Sequence, residues 1–338
     1  MTANPGAQYP PPVARTDVAR SDVACERAAA IVSAVIDEVE RAVVGKRDEL
    51  ELVVAALLAG GHVLLDDVPG VAKTLAARSI ATAAGLSFSR IQFTPDVLPS
   101  DITGATVIDL STGHPTFRRG PVFAELVLAD EINRAPAKTQ AALLEAMQES
   151  QVTIDGTTHR LPNPFFVIAT ENPVESEGTY PLPEAQLDRF IVRAHLGYPA
   201  VADEVEMVAR RLARGTDEVL IRQVTNTAQL DEVRFAIEHV HVEPVLIAYV
   251  VDIINASRKH RELSLGASPR GSLAVIKVAR ARAVLQGRDF VTPDDVRAIA
   301  LPALTHRVVL SDEAWARGTR AHDVMRAVID SVAAPSWK

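Results

Sequence analysis

The stretch HVLLDDVPGVAKTLAARS, residues 62–79, places a lysine–threonine pair in the setting of a phosphate-binding loop. In such a loop backbone N–H groups surround the phosphates, a lysine contacts the β and γ phosphates, and a Ser or Thr hydroxyl binds Mg²⁺. Lys73 and Thr74 fit the pattern GxxxxGK[ST], but Asp67 and Ala72 occupy its two glycine positions. The stretch therefore predicts either a phosphate-binding loop or a strand, turn and helix without a ligand.

The two missing glycines have different expected consequences. Glycine is essential only where φ is positive or where the backbone approaches a ligand closely. Ala72 directly precedes the lysine that opens the predicted helix, so we expect ordinary helical dihedrals there. Asp67 is the harder case, because a carboxylate at the end of the strand would repel phosphate if it pointed inward. The residues expected to surround the nucleotide in this loop are Val68, Pro69, Gly70, Val71, Ala72, Lys73 and Thr74.

Polar side chains also end two further predicted strands. The apolar run in FAELVLADEINRAPAKTQ ends in Asp130 and Glu131, a pair typical of sites where an aspartate holds Mg²⁺ and a glutamate polarises the attacking water. FFVIATENP ends in Asn172, an amide able to orient that water. Ligands of open α/β sheets bind at the carboxyl ends of the strands. The combination favours triphosphate hydrolysis, with Thr74 and Asp130 as metal ligands.

These polar residues meet at one edge only if their strands are parallel, and the sequence pattern predicts a parallel sheet. The apolar runs HVLLD, FSRIQF, AELVLAD and FFVIAT alternate with helical segments such as KTLAARSIATAAG, which indicates βαβ units. Strand signals nearly vanish after residue 200. We predict a disordered proline-rich tail over residues 1–24, an α/β nucleotide-binding core over residues 25–200 and a smaller all-helical lid over residues 201–338.

Composition excludes some classes of protein. The net charge of −8 argues against a protein that coats nucleic acid. The single cysteine, Cys25, cannot form an internal disulfide and suits a reducing compartment. No apolar run reaches membrane-spanning length, and the N-terminus lacks a signal-peptide core. We therefore expect a cytoplasmic protein without direct membrane insertion.

From about residue 25 to residue 335, the motifs resemble those of the MoxR-type AAA+ ATPases in order and spacing. DDVPGVAKT is similar to their Walker A loop, and LADEINRAPAKTQAALLEAMQE followed by VT to their Walker B segment. IATENPVESEGTYPLPEAQLDRF is similar to their sensor 1 and arginine-finger region, and LGASPRGS to their sensor 2. The resemblance implies a P-loop NTPase αβα core, ATP and Mg²⁺ as ligands, and a ring, expected to be a hexamer.

The resemblance also implies roles for single residues. Asn172 corresponds to sensor 1, Arg189 to the finger that reaches a neighbour's nucleotide, and Arg270 to the lid arginine that reaches the γ-phosphate. Val44 and Gly45, in VVGKRDEL, correspond to the segment lining the adenine pocket. A planar guanidinium suits the charge that develops on the transferred phosphoryl group, and supply by a neighbour makes hydrolysis depend on assembly.

Two further segments resemble loops of this family. FTPDVLPSDITGATVIDLSTGHPTFRRGPVF is similar to the helix-2 insert, a hairpin-like excursion towards the ring pore. QESQVTIDGTTHRLP, with a two-residue turn signal at Asp155 and Gly156, is similar to the hairpin before sensor 1. The family implies a chaperone-like role that remodels or activates client proteins, with a separately encoded von Willebrand factor type A domain protein as partner.

Three alternatives remain at this point. The first is a nucleotide-binding scaffold with little turnover because of Asp67. The second is the motor subunit of a magnesium-chelatase-like complex, whose core is similar. The third is a DNA helicase of the related replicative clade, against which the acidic balance argues, as does a hairpin whose basic residues are His159 and Arg160 alone.

Overall fold

The computed structural model describes residues 18–68, 70–111, 113–172 and 179–335, with side chains from residue 24 onward. Its strands, in chain order, are β1 (Val63–Asp66), β2 (Phe88–Gln92), β3 (Gly104–Ile108), β4 (Pro115–Arg119), β5 (Leu126–Asp130), β6 (Gln151–Ile154), β7 (Thr157–Arg160), β8 (Phe166–Glu171), β9 (Val192–Ala194), β10 (Leu263–Leu265) and β11 (Val309–Leu310). Its helices are α1 (Val18–Val39), α2 (Arg47–Leu58), α3 (Lys73–Ala84), α4 (Pro99–Thr103), α5 (Ala137–Glu149), α6 (Glu184–Leu187), α7 (Val201–Arg214), α8 (Thr227–His239), α9 (Pro244–Lys259), α10 (Pro269–Leu285), α11 (Pro293–Leu304), α12 (Asp312–Ala316) and α13 (Ala321–Ser331).

The central element is a parallel sheet in the order β2-β5-β8-β1-β9. β1 lies between β8 and β9, with Val63 opposite Ile168 on one side and Val192 on the other. Every residue of β1 and β5 is buried, as expected for strands covered by helices on both faces. Because the strands are parallel, Asp130 and Glu171 end β5 and β8 at the same edge of the sheet.

The strands predicted from HVLLD, FSRIQF, AELVLAD and FFVIAT are confirmed as β1, β2, β5 and β8. The sequence pattern does not predict β9, because a three-residue strand is too short to show a periodicity. Helix α1 begins at Val18, earlier than the helical pattern at Cys25 indicates. Residues 1–17, which hold most of the predicted tail, lie outside the described part of the chain.

The helical lid packs on the same side of the sheet as α1 and α2. Side chains from α1, α2, α8 and α10, among them Val35, Leu50, Val233 and Val275, are buried in one continuous apolar cluster. The lid also contains the antiparallel pair β10–β11, which the helical periodicity of this region does not indicate. Among the described residues, no helix combines the length and the apolar character that a membrane span requires.

Two hairpins project from the core, as the sequence predicts. β3 pairs with β4 between β2 and β5 of the chain, and β6 pairs with β7 around Asp155 and Gly156, whose φ angles are 49° and 78°. The Phe117 ring of the first hairpin stacks on the His159 ring of the second with centroids 4.0 Å apart. The hairpins therefore contact each other, and Leu110 near the tip of the first is 97% exposed.

The start of α11 provides a stability test for the lid. Thr292 Oγ1 accepts a hydrogen bond from Asp295 N (3.3 Å), while the Asp295 carboxylate accepts one from Thr292 N (2.9 Å). Thr292→Ala removes the hydroxyl and should lower the free energy of unfolding by about 1 kcal/mol. Thr292→Ser keeps the hydroxyl and should retain most of that stability in urea unfolding. Equal losses in both variants would show that the cap contributes nothing.

Candidate active site

The Asp67 carboxylate does not face the interior of the phosphate loop. It accepts hydrogen bonds from Leu196 N (2.5 Å) and Gly197 N (3.0 Å), both in the segment that follows β9. The side chain is 6% exposed. Two N–H donors satisfy the charged oxygens, and the carboxylate fixes the segment after β9 instead of presenting its charge to a phosphate. The sequence alone allows for repulsion between this carboxylate and a phosphate, but the two hydrogen bonds direct the carboxylate away from the interior of the loop.

The expectation for Ala72 is wrong. Its backbone is left-handed, with φ of 61° and ψ of 21°, because the chain must turn sharply before the first residue of α3. A residue with a β-carbon in this conformation costs about 1–2 kcal/mol relative to glycine. Gly70, with φ of 88°, is also left-handed and has open space where a β-carbon would stand. The positions that demand glycine-like backbone are therefore 70 and 72, while Asp67 is not among the described residues with positive φ.

Lys73 joins the loop to the end of β8. Its Nζ donates to the backbone oxygens of Asp67 (2.7 Å) and Glu171 (3.4 Å). Lys73 is also the first residue of α3, so the unpaired N–H groups of that helix end lie beside the ammonium group and favour an anion. Thr74 follows on the same first turn and is half-buried. Pro69 lies outside the described residues.

Asp130, at the carboxyl end of β5, is buried with both oxygens in use. Its Oδ1 accepts a hydrogen bond from Thr170 Oγ1 (2.7 Å). Its Oδ2 accepts from Arg90 Nη2 (2.6 Å) and Nε (3.1 Å). The carboxylate is therefore held in a fixed orientation by β2 on one side and β8 on the other.

Glu131 is presented by an unusual backbone conformation, with φ of 57° and ψ of 49°. Its Oε2 accepts a hydrogen bond from Gln92 Nε2 (2.9 Å) and forms an ion pair with Arg134 Nε (3.1 Å). Its backbone N donates to Thr170 Oγ1 (2.8 Å). Left-handed backbone at a residue other than glycine is a cost that functional sites often carry.

Sequence reasoning missed Thr170, Arg90 and Gln92, which hold the two acidic residues in place. Asn172 ends up beside them, 3% exposed, directly after β8. A signal for the missed residues exists, since alternate residues of a strand share one face. Arg90 and Gln92 alternate in FSRIQF, and Thr170 stands two positions before Asn172.

Glu171 is a further acidic residue at this edge of the sheet. Burial raises the pKa of its carboxyl; the Arg193 guanidinium opposes that shift, and the Asp66 carboxylate adds to it. Arg193 is itself ion-paired to Asp66, the register partner of Glu171 in β1.

The segment expected to line an adenine pocket lies close to the phosphate loop. A β-carbon on Gly45, the residue after Val44, would overlap Asp203 at the start of α7. Lys46 Nζ donates to the backbone oxygen of Tyr198 (2.9 Å). Residues 196–197 also donate to the first residue of the phosphate loop. The two predicted nucleotide-binding segments therefore converge on residues 196–198.

Arg189 and Arg270 lie elsewhere. They line a cavity of about 190 Å³ together with His62, Met147, Gln148 and Asp188. His62 precedes β1, whereas the phosphate loop follows the carboxyl end of β1. Five residues of extended chain between these points span about 16 Å. The structure thus brings Lys73, Asp130, Glu131 and Asn172 together at one edge of the sheet and leaves the two arginines at the opposite edge.

His62 forms a neutral wall of that cavity. Its Nε2 lies 3.1 Å from the backbone oxygen of Met147, which can only accept, so Nε2 carries the proton. Its Nδ1 accepts from Val167 N (3.1 Å). Burial lowers the pKa of the ring to about 4. At neutral pH the ring is uncharged, and it adds no positive charge to the edge that carries the arginines.

The residues at the carboxyl edge fit a triphosphate with Mg²⁺. The helix end, the Lys73 ammonium group and the open space at Gly70 suit a polyanion. The Thr74 hydroxyl and the Asp130 carboxylate are oxygen ligands of the kind Mg²⁺ prefers. These residues would hold the ion, while Glu131 and Asn172 lie at the same edge.

Comparisons with known proteins agree with this geometry. Residues 62–192 match the sequence profile of the "ATPase family associated with various cellular activities (AAA)", and residues 255–328 match that of the "AAA lid domain".

Two relatives are similar over most of their length. The chain is 46% identical over 300 residues to "Uncharacterized protein YeaC" of Bacillus subtilis, covering 89% of this chain and 93% of the relative. It is 44% identical over 309 residues to "Chaperone MoxR1" of Mycobacterium tuberculosis, covering 89% and 81%. The crystal structure of an inferred ATPase from Cytophaga hutchinsonii superposes with a TM-score of 0.87 at 38% identity, covering 95% of this chain and 99% of that one.

The orientation of Asp67 can be tested by stability. Asp67→Ala leaves two buried N–H groups without an acceptor and should lower the free energy of unfolding by about 2 kcal/mol. Asp67→Asn keeps one acceptor and should lose less. Asp217→Ala removes an exposed carboxylate and should stay within about 0.5 kcal/mol of the wild type in urea unfolding. Unchanged stability in Asp67→Ala would contradict the bonds to residues 196 and 197.

The strain at Ala72 predicts an unusual response to glycine. Ala72→Gly should raise the free energy of unfolding by up to about 1 kcal/mol, because it relieves the left-handed backbone. Ala81→Gly, in the middle of α3, should lower it by about 1 kcal/mol or more. The same unfolding assay measures both. A loss in Ala72→Gly as large as that in Ala81→Gly would show that position 72 is not strained.

Proposed function

We propose, on the premise that this chain belongs to the MoxR-type AAA+ ATPases, that it hydrolyses ATP with Mg²⁺ as a ring of identical subunits. The energy released would remodel or activate client proteins. The observation that supports this proposal is that the residues assigned to catalysis lie at two opposite edges of one sheet. Each edge is incomplete by itself, and a neighbouring subunit would complete it.

The carboxyl edge supplies the groups for one half of the reaction. Lys73 and the first turn of α3 bind and orient the phosphates. Glu131 accepts a proton from the attacking water, and Asn172 orients that water. Mg²⁺, when bound by Thr74 and Asp130, neutralises charge on the phosphates.

The opposite edge of the sheet, at the amino ends of the strands, supplies the groups for the other half of the reaction. Arg189 and Arg270 lie about one strand length from their own phosphate loop, so neither reaches it. In a head-to-tail ring the edge that carries the arginines meets the phosphate edge of the next subunit. Arg270 is 54% exposed and therefore accessible to such a neighbour. Two guanidinium groups from the neighbour would then stabilise the charge that develops on the γ-phosphate.

The scaffold alternative rested on Asp67, and the hydrogen bonds of that carboxylate argue against it. The carboxylate is occupied by two backbone donors and does not face the space at Gly70. Among the residues that the structure describes, no comparable feature favours a chain that binds ATP without turnover. The contacting hairpins β3–β4 and β6–β7 offer exposed side chains, such as Leu110, to a client. We further propose that the partner is a separate protein with a von Willebrand factor type A domain.

Turnover should depend on assembly and on both edges. We expect Mg²⁺-dependent phosphate release per subunit to rise with protein concentration in the wild type. Glu131→Gln should abolish release while ATP still binds. Arg189→Ala should lower it by about a thousandfold, because a finger arginine contributes to the transition state. Its affinity for ATP should stay within about twofold, since the finger belongs to the neighbour's site.

Arg326→Ala, on the exposed face of α13, is the matched control and should leave turnover unchanged. Two results together would contradict the ring and the finger: wild-type turnover per subunit that does not vary with protein concentration, and full activity of Arg189→Ala. Tight ATP binding without turnover in the wild type would favour the scaffold.

A further inference from the structure

Asp188, the residue before the finger arginine, binds to three side chains of the lid. Its Oδ1 accepts a hydrogen bond from Arg307 Nε (2.8 Å). Its Oδ2 accepts one from Ser268 Oγ (3.2 Å) and lies 3.9 Å from Arg270 Nη1. One carboxylate of the core therefore joins two different parts of the lid.

Ser268 connects this carboxylate to the second arginine. It is the N-cap of α10, and its Oγ accepts a hydrogen bond from Arg270 N (3.2 Å). The same hydroxyl donates to Asp188. Asp188 is thus linked to Arg189 by one peptide bond and to the backbone of Arg270 through a single side chain.

Arg307 fixes the chain on either side of Arg189. Its guanidinium donates to the backbone oxygens of Phe190 (2.8 Å), Ile191 (3.1 Å) and Asp188 (3.2 Å), in addition to the Asp188 carboxylate. The side chain is 3% exposed. Burial lowers the pKa of Arg307, and the Asp188 carboxylate opposes that shift. His306 adds a bond from its Nε2 to the oxygen of Phe190 (2.9 Å).

These bonds are additional to the apolar packing of the lid on the core. The lid already shares a continuous apolar cluster with α1 and α2. A buried ion pair adds little stability over apolar side chains, but it permits few alternative geometries. The planar guanidinium of Arg307 binds backbone oxygens on both sides of Arg189, those of Asp188, Phe190 and Ile191, and so fixes the direction in which Arg189 leaves the core.

We infer that Asp188 and Arg307 are positioning residues that hold Arg189 and Arg270 at a fixed spacing, so that the core and the lid offer both arginines to the neighbour as one unit. This inference rests on the proposed function. Asp188 lines the cavity at the edge opposite the phosphate loop, and Arg307 binds it there. Their effect passes through the two arginines.

The test uses Asp188→Asn in the full chain. The substitution is nearly isosteric but leaves the cations Arg270 and Arg307 without their anion. Displacement of a catalytic group by about 1 Å costs on the order of a hundredfold in rate. We expect kcat for ATP to fall by about tenfold to a hundredfold, while KM, ATP affinity and ring assembly stay near the wild-type values.

Mixed rings distinguish positioning from a general structural defect. Asp188→Asn subunits have an intact carboxyl edge, and Glu131→Gln subunits have correctly held Arg189 and Arg270. An equal mixture of these two weakly active variants should recover about a quarter of wild-type turnover, because one interface in four pairs the two intact edges in a head-to-tail ring. Arg189→Ala mixed with Glu131→Gln should recover the same fraction.

Asp295→Asn is the matched control. Asp295 is a buried carboxylate of the lid that Arg288 binds through two bonds of 2.8 Å, and it also binds Thr292 and pairs with Arg282, both within the lid. It should lower stability without lowering kcat. Ser268→Gly, which keeps most of the N-cap stability, removes the link from Asp188 to α10 and should lower kcat by about threefold or more.

The outcomes separate the two proposals. If the wild type is active and the Asp188→Asn variant retains more than half of the wild-type kcat, the positioning role is overturned and the ring proposal stays intact. The positioning role is also overturned if Asp188→Asn mixed with Glu131→Gln recovers no turnover while Arg189→Ala mixed with Glu131→Gln does. An assembled wild type without turnover overturns both.

Discussion

The position of β1 in the sheet determines where all the other functional groups can stand. Its carboxyl end leads into the phosphate loop, and its amino end begins at His62, in the wall of the cavity that holds Arg189 and Arg270. A strand that is fully buried between two parallel neighbours cannot bend to bring its ends together. The two sets of charged residues are thus separated by the length of the strand, and under the proposed function each set would be completed by a neighbouring subunit.

The carboxyl edge is organised by side chains outside the proposed catalytic set. Thr170, on β8, binds both the Asp130 carboxylate and the Glu131 backbone. Arg90 and Gln92, on β2, each bind one of the two carboxylates. Three neighbouring strands therefore contribute to the orientation of two acidic residues. A change in the pairing of β2 with β5 would move both carboxylates together.

Features set by local periodicity were predictable from the sequence, and those set by distant contacts were not. The strands β1, β2, β5 and β8 and the turn at Asp155 and Gly156 follow from residue spacing alone. The direction of the Asp67 carboxylate does not, since its donor Leu196 lies 129 positions further along the chain. The backbone of Ala72 was misjudged because the sharp turn into α3 outweighs the preference of alanine for helical dihedrals. The roles of Asp188 and Arg307 likewise need the lid to be docked.

The continuous apolar cluster shared by α1, α2, α8 and α10 has a consequence for cooperativity. Domains that are joined by a polar linker can melt separately, each with its own transition. Here the apolar face of α10 is covered by helices of the core, so exposing either part to water exposes the other. The core and the lid should therefore melt in a single step. A truncated protein without the lid would be poorly soluble, because the apolar faces of α1 and α2 would be exposed to water.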